Sequence, residues 1–207
     1  MQAFNCETAK IRSVVKEETA GRGRLAWWRQ AIAQALSGNP PDHPVAMALA
    51  HIHAQHNLTA RYLTQLLDAR EADMGVLQPQ TRDELMLYCE RTAGSLLLLS
   101  LECSGQEVGE HAEWAAHHGG TALGLATLLR GTASHAAHGC TYLPAEVTAR
   151  HEVSLSSMLR GESSHELCAA MHEVHDEAVA HLLAARSMRA AVPPSCLLYT
   201  SPSPRDS

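Results

Sequence analysis

The chain has 207 residues and a formal net charge of -6 at pH 7 with a pI near 6.1. Hydrophobic residues make up 45% of it but aromatic residues only 4%, so Leu, Ala, Val and Met must build the core, and these favour helices. We therefore predict an all-α fold. The acidic balance, without a long run of Lys or Arg, disfavours a nucleic-acid partner.

The cysteines and the apolar runs bear on the cellular compartment. Six cysteines are scattered without a CxxC pair, which favours free thiols in a reducing compartment. No run approaches the roughly 18 apolar residues of a membrane span, and no targeting leader precedes the first helical segment. We expect a soluble or peripheral membrane protein that either needs no targeting signal or is missing its N-terminal segment in this sequence.

Helical periodicity and helix-ending residues divide the chain into segments. Helices are predicted over residues 3–18, 25–36, 44–55, 57–74, 83–103, 107–130, 144–150, 154–160 and 164–190. Pro44 opens one of them and Asn57 is expected to cap the next at its N-terminus. The glycines between Gly119 and Gly124 indicate either close helix packing or a cavity.

The two ends of the chain differ in character. Residues 1–194 are assigned to one helical domain that is expected to be incomplete at both ends. Residues 195–207 end in a Ser- and Pro-rich stretch of low complexity that cannot form a core. We expect these residues to be a disordered, non-native tail derived from an adaptor sequence.

Four stretches, in order and spacing, carry a resemblance to a known family. They are Arg24-Leu25-Ala26-Trp27-Trp28-Arg29, His43-Pro44-Val45, Tyr88-Cys89-Glu90-Arg91-Thr92-Ala93-Gly94 and Tyr142-Leu143-Pro144. Over about residues 3–194 the chain resembles the squalene/phytoene synthases. The resemblance implies an isoprenoid synthase-type helical fold around a central cavity, where family enzymes join two prenyl diphosphates head to head with Mg²⁺.

The resemblance also implies two DxxxD motifs, whose carboxylates hold Mg²⁺ in the family enzymes. Register places the first pair at Ala9 and Ser13 and the second pair at Gly131 and His135, and none of these positions carries a carboxylate. We therefore expect a pseudoenzyme with no catalytic residue, no cofactor and no metal site.

The same resemblance assigns the lining of the expected cavity. The positions are Tyr88, Arg91, Gly124, Thr127 and Arg130. The two arginines lie where the enzymes hold basic groups near the diphosphates. They either bind an anionic lipid or phosphate or form a salt bridge with Glu90, Glu102 or another acid. A salt bridge is the commoner outcome for such arginines. The cavity either holds an isoprenoid or lipid chain or is filled by side chains.

One branch of the family departs from the enzymes in this way and assists the assembly of mitochondrial respiratory complex I. The resemblance to that branch is carried by Ala3-Phe4-Asn5, His56-Asn57-Leu58-Thr59 and Ser95-Leu96-Leu97. It implies a matrix-side protein peripherally associated with the inner membrane. Its partners would be complex I subunits or other assembly factors, with an isoprenoid or lipid as a further ligand. The alternatives are a prenyl transferase with atypical metal ligands and an isoprenoid- or lipid-binding protein.

Two local patterns are given structural interpretations. The 14 histidines include His51, His53 and His56, and the pair His172 and His175, whose spacing a zinc site can use. His51 and His53 point to different sides of a helix, so exposed or cavity-facing histidines are favoured over a zinc site. Adjacent helical positions diverge by about 100°, which predicts that one of the two residues in Trp27-Trp28 is buried and the other partly exposed.

Overall fold

A computed structural model describes residues 1–15, 17–105 and 109–192. Within these ranges the regular structure is helical and contains no strand, so the all-α prediction is confirmed. The α-helices are α1 Gln2–Ala9, α2 Ile11–Val14, α3 Glu18–Leu36, α4 Pro44–His56, α5 Ala60–Ala72, α6 Arg82–Cys89, α7 Ser95–Glu102, α8 Glu110–Arg130, α9 Thr132–Ala137, α10 Ala145–Arg150, α11 Leu155–Leu159 and α12 His165–Ser187. The expected tail, residues 195–207, lies outside the described residues.

The first predicted helix, residues 3–18, is wrong in its extent. The chain forms two short helices instead and then becomes extended at Val15, where two β-branched residues in succession disfavour helix. Helix α3 also begins seven residues before the predicted start. Gly21 lies in this additional part of α3. A Cβ there would lie 2.2 Å from the Met74 Cε atom, so the absence of a side chain lets this turn pack closely against the end of α5.

The predicted N-cap role of Asn57 is wrong as well. Asn57 instead ends α4, where it adopts the left-handed conformation with φ 49° and ψ 55° and donates its backbone N–H to the His53 carbonyl. Asn tolerates this conformation better than most residues because its short polar side chain bonds locally. The next helix starts after Thr59, whose backbone N–H donates to Glu102 at 3.0 Å.

The central helix predicted over residues 83–103 is nearly continuous, but a π-helical turn at Glu90–Gly94 separates α6 from α7. Helix α8 crosses this turn at very short range. A Cβ at Gly120 would lie 2.4 Å from the Gly94 Cα atom, and one at Gly124 would lie 2.9 Å from the Cys89 Cβ atom. Close helix packing therefore explains Gly120 and Gly124, and Gly124 also borders a cavity, which was the other interpretation.

The apolar core has two large parts. One joins α1, α3, α4, α5 and α7 around residues such as Phe4, Leu63 and Leu99, and the other joins α6, α8 and α12 around Leu125 and Val174. Trp28 is 4% exposed and Trp27 is 42% exposed, as predicted for adjacent helical positions. Among the described residues, no helix has both the length and the apolar character needed to cross a membrane.

Candidate binding cavity

A cavity of about 740 Å³ opens between the first two helices, α5, the α6–α7 helix, α8 and α9. Its volume is in the range of about 300–1,000 Å³ that is usual for small-molecule sites. It is lined by Gln2, Asn5, Ala9, Arg12, Ser13, Val15, Arg70, Tyr88, Thr92, Ala93, Leu96, Leu97, Ser100, Leu123, Gly124, Thr127, Leu128, Ser134, His135, His138, Cys140 and Tyr142. None of these described lining residues is Asp or Glu.

One end of the cavity is polar and is organised around Arg12. Its guanidinium pairs with the Asp73 carboxylate and donates to the Tyr142 hydroxyl at 3.0 Å and to the Val76 carbonyl. Tyr142 in turn donates to Asp73 at 2.5 Å. Burial opposes the charge on Arg12, but Asp73 and Tyr142 overcome it and raise the pKa of the guanidinium, so Arg12 stays ionised and its charge is balanced within the protein.

Arg70 forms the second half of this polar end. It donates to the Tyr88 hydroxyl and, at 3.1 Å, to the Asn5 side-chain carbonyl, while its buried Nε atom has no hydrogen-bond partner. No carboxylate among the described residues lies within 4 Å of Arg70, in contrast to Arg12. Burial raises the pKa of Tyr88, so its hydroxyl remains a neutral acceptor and does not balance the charge on Arg70.

His135 closes the polar end from α9. Its ring meets the Tyr142 ring edge-on at 4.8 Å, and its buried Nδ1 atom has no partner. Burial and the nearby Arg12 charge lower the pKa of His135, although Asp73 acts in the opposite sense. The imidazole is therefore neutral at and above pH 7, and it offers a neutral ring nitrogen to the cavity.

The four positions that register assigned to the aspartates lie close to this polar end. Ala9, Ser13 and His135 line the cavity. Gly131 does not line it, but a Cβ there would lie 2.6 Å from the His135 Cε1 atom, so the absence of a side chain at Gly131 leaves room for the His135 ring. Mg²⁺ takes oxygen ligands, chiefly carboxylates, whereas these residues offer a methyl group, a hydroxyl, no side chain and an imidazole. The lining does not fit Mg²⁺.

The five predicted lining positions are placed differently. Tyr88, Gly124 and Thr127 line the large cavity. Arg91 lines a separate cavity of about 320 Å³ on the other side of the Tyr88–Tyr142 pair, and Arg130 lines neither. The contact between the two tyrosines, with ring centroids 5.3 Å apart, forms the wall between the cavities.

The salt bridges expected for Arg91 and Arg130 do not form with any carboxylate of the described chain. Glu90 faces the other way, toward His117, with its Oε1 atom 3.6 Å from the His117 Nε2 atom. Glu102 accepts the backbone N–H of Thr59 and is thereby used to join α7 to the start of α5. The acids nearest in sequence are therefore committed to other partners.

Three of the residues that organise the site were not predicted. Arg12 lies between the two positions of the first motif register, and Arg70 and Asp73 are three residues apart near the end of α5. Their charge was visible in the sequence, in a segment with a buried apolar face, but their meeting depends on where α2 places Arg12 relative to the end of α5. That placement follows from the break between α1 and α2, which the sequence pattern did not indicate.

The histidines form no metal cluster in the part of the chain that the structure describes. The His172 Nδ1 atom donates to the Cys168 carbonyl of its own helix at 2.8 Å, and His51 contacts the Gln55 side chain. A pair that was not predicted links α8 to α12, where the Nδ1 atoms of His118 and His181 are 2.9 Å apart. This distance is that of a hydrogen bond between two rings, of which at most one is charged.

Residues 1–200 match the sequence model of the squalene/phytoene synthase family, and the chain belongs to that family. The fold agrees with this assignment. The crystal structure of squalene synthase HpnC from Alicyclobacillus acidocaldarius superposes with a TM-score of 0.79 at 20% identity, covering 93% of this chain and 72% of that one. At this identity the similarity shows the shared helical fold.

Two relatives of higher identity carry a different name from the synthases. The protein named NADH dehydrogenase (ubiquinone) complex I, assembly factor 6, from Rattus norvegicus is 37% identical over 193 residues, which are 93% of this chain and 58% of the relative. The homolog of that factor from Dictyostelium discoideum is 33% identical over 194 residues, which are 93% of this chain and 54% of the relative. The chain thus spans little more than half the length of these relatives.

Proposed function

We propose that this protein is a non-catalytic member of its family that acts in the assembly of mitochondrial respiratory complex I. The observation that carries the proposal is its 37% identity to the rat assembly factor across 93% of the chain. A phytoene synthase from Arthrospira platensis is 27% identical over only 150 residues. By this comparison the chain is more similar to the assembly factors than to an enzyme of the family.

The chemistry of the cavity supports the absence of catalysis. A departing diphosphate needs a metal ion or an equivalent concentration of positive charge, and Mg²⁺ needs oxygen ligands, chiefly carboxylates. The positions expected to supply them carry Ala9, Ser13, Gly131 and His135, and the described lining contains no acid. Without those ligands the scaffold can bind a ligand but cannot activate its leaving group.

The proposed location is the matrix side of the mitochondrial inner membrane, reached by peripheral association, and the proposed partners are complex I subunits or other assembly factors. Several large apolar side chains are available for such contacts on the surface. Leu182 and Leu183 near the end of α12 are 40% and 59% exposed, and Leu123 on α8 is 58% exposed. Exposed apolar side chains of this kind commonly mark contact surfaces when they are grouped.

The test is restoration of complex I in cells that lack their own assembly factor 6. The full-length protein should restore the assembled complex on native gels and NADH-dependent respiration, and fractionation should place it in the matrix-side membrane fraction. A squalene synthase targeted to mitochondria is the control with the same fold and should restore nothing. Full expression in mitochondria with no recovery of complex I would overturn the proposal.

A further inference from the structure

The large cavity carries one positive charge that the protein does not neutralise. Its lining contains two arginines, and Arg12 is balanced by Asp73. Arg70 has no carboxylate within 4 Å among the described residues, and both of its hydrogen-bond acceptors, Tyr88 and Asn5, are neutral. A half-buried guanidinium without a counter-charge is costly, and an anion from outside the chain would remove that cost.

Arg70 also retains unused hydrogen-bonding capacity. A guanidinium has five N–H donors, of which the protein engages one on each of the two terminal nitrogens. The Nε atom also has no partner among the described residues, but it is buried and does not reach the cavity. The second N–H of each terminal nitrogen has no acceptor in the described chain, and Arg70 borders the cavity. The two terminal nitrogens can therefore donate to oxygen atoms that the protein does not supply.

The cavity extends away from this end along a wall in which leucines lie beside Ser and Thr side chains. Leu97 and Ser100 follow Tyr88 by nine and twelve residues along the nearly continuous α6–α7 helix, which places them about 13–18 Å further along its axis. Leu97, Leu123 and Leu128 supply the apolar part of this wall. A ligand that satisfies both ends has an anionic head and one extended hydrocarbon chain.

From these observations we propose that the cavity binds a single-chain amphipathic anion without a metal ion, with its carboxylate or phosphate group on Arg70 and its hydrocarbon chain along the Leu97 and Leu123 wall. The inference extends the proposed function, since it assumes that the bound ligand is not turned over. It differs from a prenyl diphosphate site in that a guanidinium takes the place of bridging Mg²⁺. Arg70 is assigned as a ligand-binding residue.

Binding is measured by titration calorimetry and native mass spectrometry on the full-length protein in EDTA. The probes are oleate, farnesyl monophosphate and the neutral alcohols oleyl alcohol and farnesol. Each anion is expected to bind at least about tenfold more tightly than its alcohol, because only the anion makes charge-assisted bonds to Arg70. The tighter of the two anions identifies the head group as carboxylate or phosphate. Equal affinity for anions and alcohols, or binding only when Mg²⁺ is added, would overturn the proposal.

Variants separate a binding role of Arg70 from a structural one. Arg70→Met should weaken binding of the anions about tenfold and leave binding of the alcohols unchanged, and Arg70→Lys should keep part of the affinity. The control is Arg61→Met on the same helix, since Arg61 lies over the Tyr62 ring outside the cavity. Leu123→Glu adds a carboxylate at an exposed wall position and should weaken the anions alone, so the test stands even if Arg70→Met fails to fold. Unchanged anion binding in Leu123→Glu and in a folded Arg70 variant would refute the assignment.

The outcome is independent of complex I. If Arg70→Met loses the ligand but still restores complex I, the binding site stands apart from the assembly role. If wild-type protein binds the anion but does not restore complex I, the proposed function fails while the site remains. Each failure is scored on a different measurement, so the two proposals are tested separately.

Discussion

The Arg12 guanidinium and the Asp73 carboxylate hold α2 against the end of α5, and their side chains are 24% and 10% exposed. Asp73→Asn would leave the positive charge without its counter-charge and weaken the bond from Tyr142. We expect the free energy of unfolding to fall by about 2 kcal/mol. Urea denaturation followed by circular dichroism measures this change. Glu162→Gln, in the exposed Arg160–Glu162 pair, is the control and should leave stability unchanged, so equal losses in both variants would contradict the interpretation.

The His118–His181 contact makes stability depend on pH. Burial lowers the pKa of both rings below 6.5, and in each case a neighbouring histidine adds to the effect. The unfolded chain therefore binds more protons than the folded one below that pH, so stability is full above pH 6.5 and is lost as the pH falls through the folded pKa. Urea titrations from roughly pH 7.5 to 5.5 should show this decline. His181→Gln should reduce the slope and exposed His175→Gln should not, whereas identical slopes in all three proteins would argue against the pair.

The crossing of α8 over the π-helical turn depends on the lack of a side chain at Gly120. An added Cβ at Gly120 would lie 2.4 Å from the Gly94 Cα atom, which only a shift of the backbone can relieve. Gly120→Ala is expected to lower the free energy of unfolding by about 1–3 kcal/mol. Gly23→Ala is the matched control, because Gly23 lies in α3 with no atom within 4 Å of an added Cβ, and it should raise stability by up to about 1 kcal/mol. A neutral Gly120→Ala would contradict the packing described here.

The helices that could be predicted are those with a clear boundary residue, such as α4 with Pro44, α8 between Gly109 and Gly131, and α12 with Ser164 as its N-cap. The break at Lys10 and the π-helical turn could not be predicted, because the local sequence allows a longer helix in both places. Asn57 was placed at the right boundary but assigned to the start of α5, because Asn favours both helix ends. The candidate site divides in the same way. Tyr88, Gly124 and Thr127 were placed by motif register, whereas Arg12, Arg70 and Asp73 come to one end of the cavity only in the folded chain, where Arg12 pairs with Asp73 and Arg70 bonds to Tyr88.

For the molecule as a whole, we propose that a synthase fold has kept its cavity without the carboxylates that the enzymes' reaction requires. The polar end of the cavity holds Arg12, Arg70 and His135. A cavity lined in this way favours an anion over a divalent cation, since its fixed charge is positive. On this proposal the fold is a scaffold for binding and for contacts with other proteins.

The proposed absence of catalysis is tested most directly by measuring the release of pyrophosphate when the full-length protein is incubated with farnesyl diphosphate and Mg²⁺. A squalene synthase of the same family, assayed in parallel, verifies that substrate and metal are active. We expect no release above the protein-free background at any Mg²⁺ concentration. Release that rises with protein concentration, saturates with substrate and is abolished by EDTA would contradict a non-catalytic role.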